Sequence, residues 1–403
     1  MSRKIYLSAM LCISTLFSGK VNAQCPTGRF DSYVFSSFDK STVTYSTPYS
    51  QMMDIYQPTG DTMTARPLII LAHGGSFVGG SRNSDTTVDQ MCRNFAKRGY
   101  VTASIDYRLG NIFNMITDSA YAIDVVIKAI SDGKAAVRYF YKDAATTNTY
   151  KIDTNHIYFG GNSAGAVLYM HAGYLTDTNE APDYIKTALA ANGGIEGNSG
   201  NAGYSSKAKA VINLAGALNS ASFVSTGDLP SVNAQGDNDV TVPYVCAYPL
   251  SGSVHVNLCG LGILEPAYVA KGIYHMSKVF VGDTHVPWDG DAAKFATVDS
   301  LVTTFLYTLN CPANVASVSN ANVINEVTLY PNPATSVVNI RSSETLNDVV
   351  ICDQTGRIVA TYKDLSTKSY ELNTASLSTG VYFVKIRFAN ESVAPMIKSV
   401  VIE

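Results

Sequence analysis

Charge is scarce in this chain of 403 residues: Asp, Glu, Lys and Arg make up 15% of it, and the formal net charge is −3. A balance that low and that near neutral excludes the basic face of a nucleic-acid binder and the polybasic stretch that holds to anionic membranes. Histidine is sparse too, six in all, and there is no Cys-x-x-Cys pair or Cys/His cluster, so no metal centre is expected. Past the N-terminus no apolar run is long enough for a membrane-spanning helix. Internal repeats are lacking. The glycine-rich stretch 192–203 opens no helix of the P-loop kind, which leaves it as a loop near the mouth of a site. Tryptophan occurs once, against 25 tyrosines. Together with plentiful Asn, Ser and Thr, that composition suits an extracellular, hydrogen-bonding surface.

The N-terminus opens Met1-Ser2-Arg3-Lys4, runs through the mostly apolar stretch 5–17, and reaches Val21-Asn22-Ala23. A basic start, a short apolar core and a small-residue site read as a signal peptide, residues 1–23. Gln24 ahead of Cys25 argues against lipidation. Export permits disulfides among Cys25, Cys92, Cys246, Cys259, Cys311 and Cys352. Spacing does not choose the pairing. Cys246 with Cys259 would close a short loop, Cys25 with Cys311 would staple the ends of a large domain, and Cys92, in a helical pattern over 88–97, reads as buried.

The chemistry is concentrated in four segments. Gly161-Asn162-Ser163-Ala164-Gly165 follows the apolar run Ile157-Tyr158-Phe159. A Gly-x-Ser-x-Gly between strand and helix makes a turn so tight that the serine hydroxyl stands up at the end of the sheet. His73-Gly74-Gly75-Ser76-Phe77 follows Pro67-Leu68-Ile69-Ile70-Leu71-Ala72, which reads as a buried central strand. Small residues there let backbone N–H groups approach a developing oxyanion. Gln235-Gly236-Asp237-Asn238-Asp239 follows a strand expected at 229–234 and offers a carboxylate. Asp237 fits an Asx turn and Asp239 the acid of a triad. Val279-Phe280-Val281-Gly282-Asp283-Thr284-His285 puts His285 on a loop after a strand, where a general base belongs. The remaining histidines read as structural: His171 on the helix after the elbow, His275 on a helix before the last strand, His156 ahead of the elbow strand, and His255 in a loop between two cysteines.

These segments resemble the α/β-hydrolases, and among them the bacterial carboxylesterases with an HGG-type oxyanion loop and a G-x-SAG elbow. The likeness extends to Ser104-Ile105-Asp106-Tyr107-Arg108-Leu109, to the helix around Asp132-Gly133-Lys134 and to Ile152-Asp153-Thr154, covering roughly residues 45 to 310. Two positions depart from the pattern: Ser76 replaces a third glycine, and Gln235 stands where the family usually has His. The resemblance implies an α/β fold with a mostly parallel central sheet. It implies Ser163 as nucleophile, His285 as base, Asp239 as acid and the N–H groups of Gly75, Ser76 and Ala164 as the oxyanion hole, with no cofactor and no metal. The order Ser, Asp, His along the chain is the order this fold requires.

From about Val327 the pattern changes to short alternating strands separated by turn residues, as in a small β-sandwich. Leu329-Tyr330-Pro331-Asn332-Pro333-Ala334, Asp353-Gln354-Thr355-Gly356-Arg357, Leu377-Ser378-Thr379-Gly380-Val381-Tyr382 and Lys398-Ser399-Val400-Val401 resemble the type A sorting domain of type IX secretion. That resemblance implies a Gram-negative host of the Bacteroidota kind and export through the periplasm and outer membrane, to the medium or the cell surface. The expected organisation is a signal peptide (1–23), a hydrolase domain (24–311), a linker (312–325) and an all-β sorting domain (326–403). The expected function is a secreted serine carboxylic-ester hydrolase for plant-wall acetyl or feruloyl esters or for short-chain esters. Its partners are a small or polymer-borne ester and the secretion machinery, with no nucleic acid and no integral membrane segment. A serine peptidase on the same fold, a polyester hydrolase and a non-catalytic surface binding module are the alternatives.

Overall fold

A computed structural model describes residues 28–311, 327–353, 358–390 and 396–403. The expected leader, Cys25 with its suggested bond to Cys311, and the linker 312–325 involve residues outside these. The chain divides into two units, the first ending at Asn314 and the second beginning at Val315.

The first unit is built on an eight-stranded sheet. Its strands are β1 (Phe38–Ser46), β2 (Gln51–Pro58), β3 (Arg66–Ala72), β4 (Val101–Ile105), β5 (Ile152–Asn162), β6 (Ala210–Leu214), β7 (Ser231–Gly236) and β10 (His275–Phe280), while β8 (Cys246–Ala247) and β9 (Leu258–Cys259) form a separate short pair. The order across the sheet is β1-β2-β4-β3-β5-β6-β7-β10. β2 runs antiparallel to β1 and β4, and the other pairs are parallel. β3 explains its own continuous apolar run. Successive side chains of a strand point to opposite faces. Leu68, Ile70 and Ala72 enter one core, and Ile69 and Leu71 the other, so neither face is left for polar residues.

Helices cover both faces. α3 (Ser119–Ala145), α4 (Ala164–Tyr174) and α5 (Asp183–Ala191) contribute to the first core together with Met115 of the short α2 (Ile112–Thr117) and Leu264 and Tyr268 of α6 (Leu261–Lys271). α1 (Thr86–Lys97) and α7 (Ala292–Asn310) bring Met91, Phe95, Val298 and Phe305 to the second. Cys92 is buried in α1, and burial pushes its thiol well up. His275, expected on a helix, instead opens strand β10. The preceding helix stops at Gly272, whose left-handed backbone (φ 67°) caps α6 and frees the chain to extend.

The second unit contains β11 (Val327–Tyr330), β12 (Val337–Cys352), β13 (Ile358–Tyr362), β14 (Thr367–Asn373), β15 (Gly380–Phe388) and β16 (Met396–Ile402). Long β12 is the hub of one six-stranded sheet. Its first part pairs with β11 and β14 and its second with β13 and β15, with register breaks between Arg341 and Asp348. Val338, Ile340, Val349, Ile351, Val384 and Ile386 fill the core of this unit, and the strands join in one sheet where a two-sheet sandwich was expected.

Candidate active site

The elbow is the turn between β5 and α4. Ser163 takes φ 54° and ψ −118°, outside the comfortable regions for a side-chain-bearing residue. Two glycines make room for it. A Cβ on Gly161 would meet the Ala72 carbonyl oxygen at 2.4 Å, and one on Gly165 would meet it at 2.1 Å. The turn is pinned by the Ser163 amide donating to Leu214 O of β6 at 2.8 Å, while Ser163 O accepts the Val167 amide at 3.0 Å to start α4.

His285 meets the serine from the loop after β10, its Nε2 lying 2.8 Å from Ser163 Oγ. Its Nδ1 lies 2.7 Å from Asp239 Oδ2, on the loop after β7. A tautomer protonated on Nδ1 satisfies both contacts, donating to the carboxylate and accepting from the hydroxyl. Asp239 has no solvent-exposed side-chain surface. Its Oδ1 accepts the amides of Thr241 at 2.9 Å and Val242 at 3.0 Å, and its Oδ2 also takes Gln235 Nε2 at 3.3 Å. The two loops approach at Gly236, where a Cβ would lie 2.3 Å from Thr284 O. Asp237 faces elsewhere: its Oδ1 accepts the Gly282 amide at 2.7 Å and ties the same loops together from outside.

The loop expected to supply an oxyanion hole follows β3. Gly75, Ser76 and Phe77 all have positive φ, and a Cβ on Gly75 would lie 2.2 Å from Gly79 O. The His73 ring is buried and stacked on Tyr107, with centroids 4.3 Å apart, and Tyr107 OH donates to His73 O at 2.8 Å. Burial holds the His73 imidazole below its usual pKa, in keeping with a neutral ring that shapes the loop. The Gly74 amide is occupied, donating to Asp85 Oδ2 at 2.8 Å. The amides of Gly75, Ser76 and Ala164 have no protein acceptor among the described residues.

Residues 53–219 match the BD-FAE family, and residues 328–403 match the secretion system C-terminal sorting domain. The chain carries an esterase domain followed by a sorting domain. Solved structures of Thermogutta terrifontis esterase 2 share the α/β-hydrolase fold. The enzyme phosphorylated by paraoxon and its propionate-bound form each superimpose with a TM-score of 0.50 at 20% identity, over 67% of this chain and 94% of theirs. The apo form of that enzyme gives the same figures. Among curated proteins none matches the chain.

Beside Ser163 the esterase domain holds a cavity of about 90 Å³. Ser76, Phe77, Ser163 and Ala164 form the end next to the elbow, the candidate catalytic end, and aliphatic side chains of α3, α4 and the 249–258 loop form most of the rest. Cys246 and Cys259, flanking that loop, are joined by a disulfide. The glycine-rich stretch 192–203 contributes nothing to the cavity wall. It docks on α3, where Ser131 Oγ accepts the amides of Asn198 at 3.0 Å and Ser199 at 3.2 Å and where Lys134 and Arg138 pair with Glu196. These buried polar partners, rather than the site, account for its placement.

Two supporting residues do not stand out for these roles in the sequence. Asp85 caps α1 through the Val88 amide at 3.1 Å, holds the Gly74 amide and accepts Asn162 Nδ2 at 3.2 Å, so one carboxylate links helix, oxyanion loop and elbow. An Asp three residues ahead of the 88–97 helical pattern, directly before Thr86, is an N-cap signal that could have exposed it. Gln235 stands where the resembled family has His, yet its Nε2 donates to Val242 O at 2.8 Å and its Oε1 accepts the Leu261 amide at 2.9 Å, bracing the acid loop. Among the described residues no helix is long and apolar enough to cross a membrane.

Proposed function

We propose that this esterase domain hydrolyses carboxylic esters through a Ser163–His285–Asp239 triad and an acyl-enzyme intermediate. The observation that carries the reading is the unbroken line of hydrogen bonds from Asp239 through His285 to Ser163, 2.7 and 2.8 Å long. Ser163 Oγ attacks the ester carbonyl carbon while His285 Nε2 takes its proton. Asp239 holds the imidazole orientation and stabilises the imidazolium. The N–H groups of Gly75, Ser76 and Ala164 stabilise the oxyanion. The tetrahedral intermediate collapses, and His285 returns the proton to the departing alcohol oxygen. Water then attacks the acyl-enzyme with His285 as base, freeing the acid and restoring Ser163. No cofactor enters the scheme.

Substrates of this reading are plant-wall acetyl or feruloyl esters or short-chain esters. The propionate seen in Thermogutta terrifontis esterase 2 is in keeping with a carboxylic acid product at such a site. We assign residues 1–23 to a signal peptide, 24–311 to the catalytic domain, 312–325 to a linker and 326–403 to the sorting domain. Passage through the periplasm and across the outer membrane to the cell surface or medium accords with that organisation and with the sorting-domain match.

The test is hydrolysis of p-nitrophenyl acetate, butyrate and octanoate by the mature protein with Ser163→Ala beside it. Turnover that disappears in the variant, with the fold retained by circular dichroism, supports the reading. Retained turnover in the variant, or none in the parent, overturns it.

A further inference from the structure

The cavity beside Ser163 has a direction. Ser76, Phe77, Ser163 and Ala164 border it, and neither His285 nor Asp239 does. In the reaction proposed above, on which this inference rests, His285 hands its proton to the alcohol oxygen, so the alcohol leaves on the imidazole side. The acyl chain is then the half of the ester that enters the cavity.

Its wall recognises little besides hydrocarbon. Ile123, Ile127 and Val167 line it from α3 and α4, and Leu250, Val254 and Val256 line it from the loop between the bonded cysteines. Three polar side chains reach the wall besides those of the catalytic end, Thr241, His171 and Asn219, and the last two are engaged. His171 has Nδ1 2.8 Å from Val167 O, and its Nε2 accepts the Asn219 amide at 3.0 Å. Asn219 donates its Nδ2 to Asn257 O at 2.8 Å and accepts Tyr184 OH on Oδ1 at 3.1 Å. A phenol or methoxyl group pushed into this wall meets a single hydroxyl, that of Thr241, and loses most of its hydration, whereas a methylene gains from burial.

The loop is fastened at both ends. The Cys246–Cys259 disulfide closes it. Cys259 N donates to Leu218 O at 2.7 Å and Leu218 N to Cys259 O at 3.1 Å, Asn257 Nδ2 donates to Asn219 O at 3.1 Å, and Leu250 N donates to Thr241 O at 2.9 Å. Closing a loop covalently removes much of its freedom to swing away. We propose that this disulfide-fastened loop is the roof of an alkyl-acyl pocket and sets the specificity of the enzyme, favouring esters of unsubstituted alkyl acids longer than acetic acid over acetyl and hydroxycinnamoyl esters.

The experiment measures kcat/KM for p-nitrophenyl acetate, butyrate and hexanoate, and for methyl hexanoate against methyl ferulate, with the mature full-length protein. Burial of each methylene is worth about fourfold in kcat/KM, so the value should climb from acetate to hexanoate, and methyl hexanoate should exceed methyl ferulate. The paired change Cys246→Ser with Cys259→Ser should lower the hexanoate-to-acetate ratio by roughly tenfold. Val126→Trp, which fills the pocket from α3 and leaves the disulfide intact, should lower the same ratio if the cysteine variant fails to fold. A flat or acetate-first profile, a preference for methyl ferulate, or variants that keep the parental ratio would overturn the proposal while leaving the esterase reading intact. Absence of Ser163-dependent turnover on every ester would overturn that reading and this one with it.

Discussion

Asp237 and Asp239 sit two residues apart on one loop, and the backbone gives them opposite surroundings. Asp239 is buried against His285 and two amides, while Asp237 reaches outward to the Gly282 amide. Asp239→Asn keeps the shape but presents an N–H or a weaker acceptor to the imidazole, so kcat should fall by roughly 10⁴-fold. Asp237→Asn keeps a carbonyl oxygen for Gly282 and should leave kcat within about threefold of the parent. Steady-state kinetics on one ester separates the two, and a crippled Asp237→Asn would mean that the acid has been misassigned. The residues proposed as nucleophile, base and acid can be picked out in the sequence because each lies in a short segment with its own glycine and strand signal. Asp85 and Gln235 cannot be assigned their roles that way. Asp85 acts on groups 11 and 77 positions away, and the task of Gln235 depends on where Leu261 folds back.

At the scale of the element, α4 is held by contacts that make two further changes informative. Gly165 is the point where the helix passes under β3, and a Cβ there would sit 2.1 Å from Ala72 O. Backbone must move to admit it. Gly165→Ala should therefore cost at least about 1–3 kcal/mol, as overpacking does, and should also disturb the Ser163 amide contact and with it turnover. Calorimetry and kinetics check both effects, and an unshifted melting temperature would refute the close approach. Nearly two turns farther along, burial pushes the His171 imidazole down to about 4, partly opposed by its bond to Val167 O. The unfolded chain, with an ordinary His, binds the proton more readily, so this group contributes stability that is full above pH 6.5 and is lost as pH falls toward 4. The size is on the order of 3 kcal/mol. Urea unfolding across pH 4 to 7 should show that slope, and His171→Gln should flatten it. α1 is legible in the sequence because its apolar period is strong, and β3 because its apolar run is continuous. His275 is not, because α6 and β10 are joined within four residues around Gly272, too short a break for periodicity alone to mark.

For the molecule as a whole, the change from long helical and buried-strand patterns to short alternating strands near Val327 is visible in the residue pattern alone and marks two architectures. The cores follow that division. One pair of clusters draws only on residues up to Cys311 and the other cluster only on residues from Val327 onward. The site draws on the first set alone, from His73 to His285. Two cores of this kind should unfold as two cooperative transitions. Ile351 tests it: it is 1% exposed in β12, paired with both Ala360 and Val384. Ile351→Ala removes buried methyl groups at a cost of about 2–5 kcal/mol. Scanning calorimetry of the full chain should show one transition lowered and the other unmoved, with kcat/KM on p-nitrophenyl butyrate within about twofold of the parent. If both transitions fell together, or turnover fell with them, the tail would be part of the folded support of the esterase domain. Its removal after export would then cost the enzyme stability, whereas independent transitions leave the catalytic unit able to work with or without it.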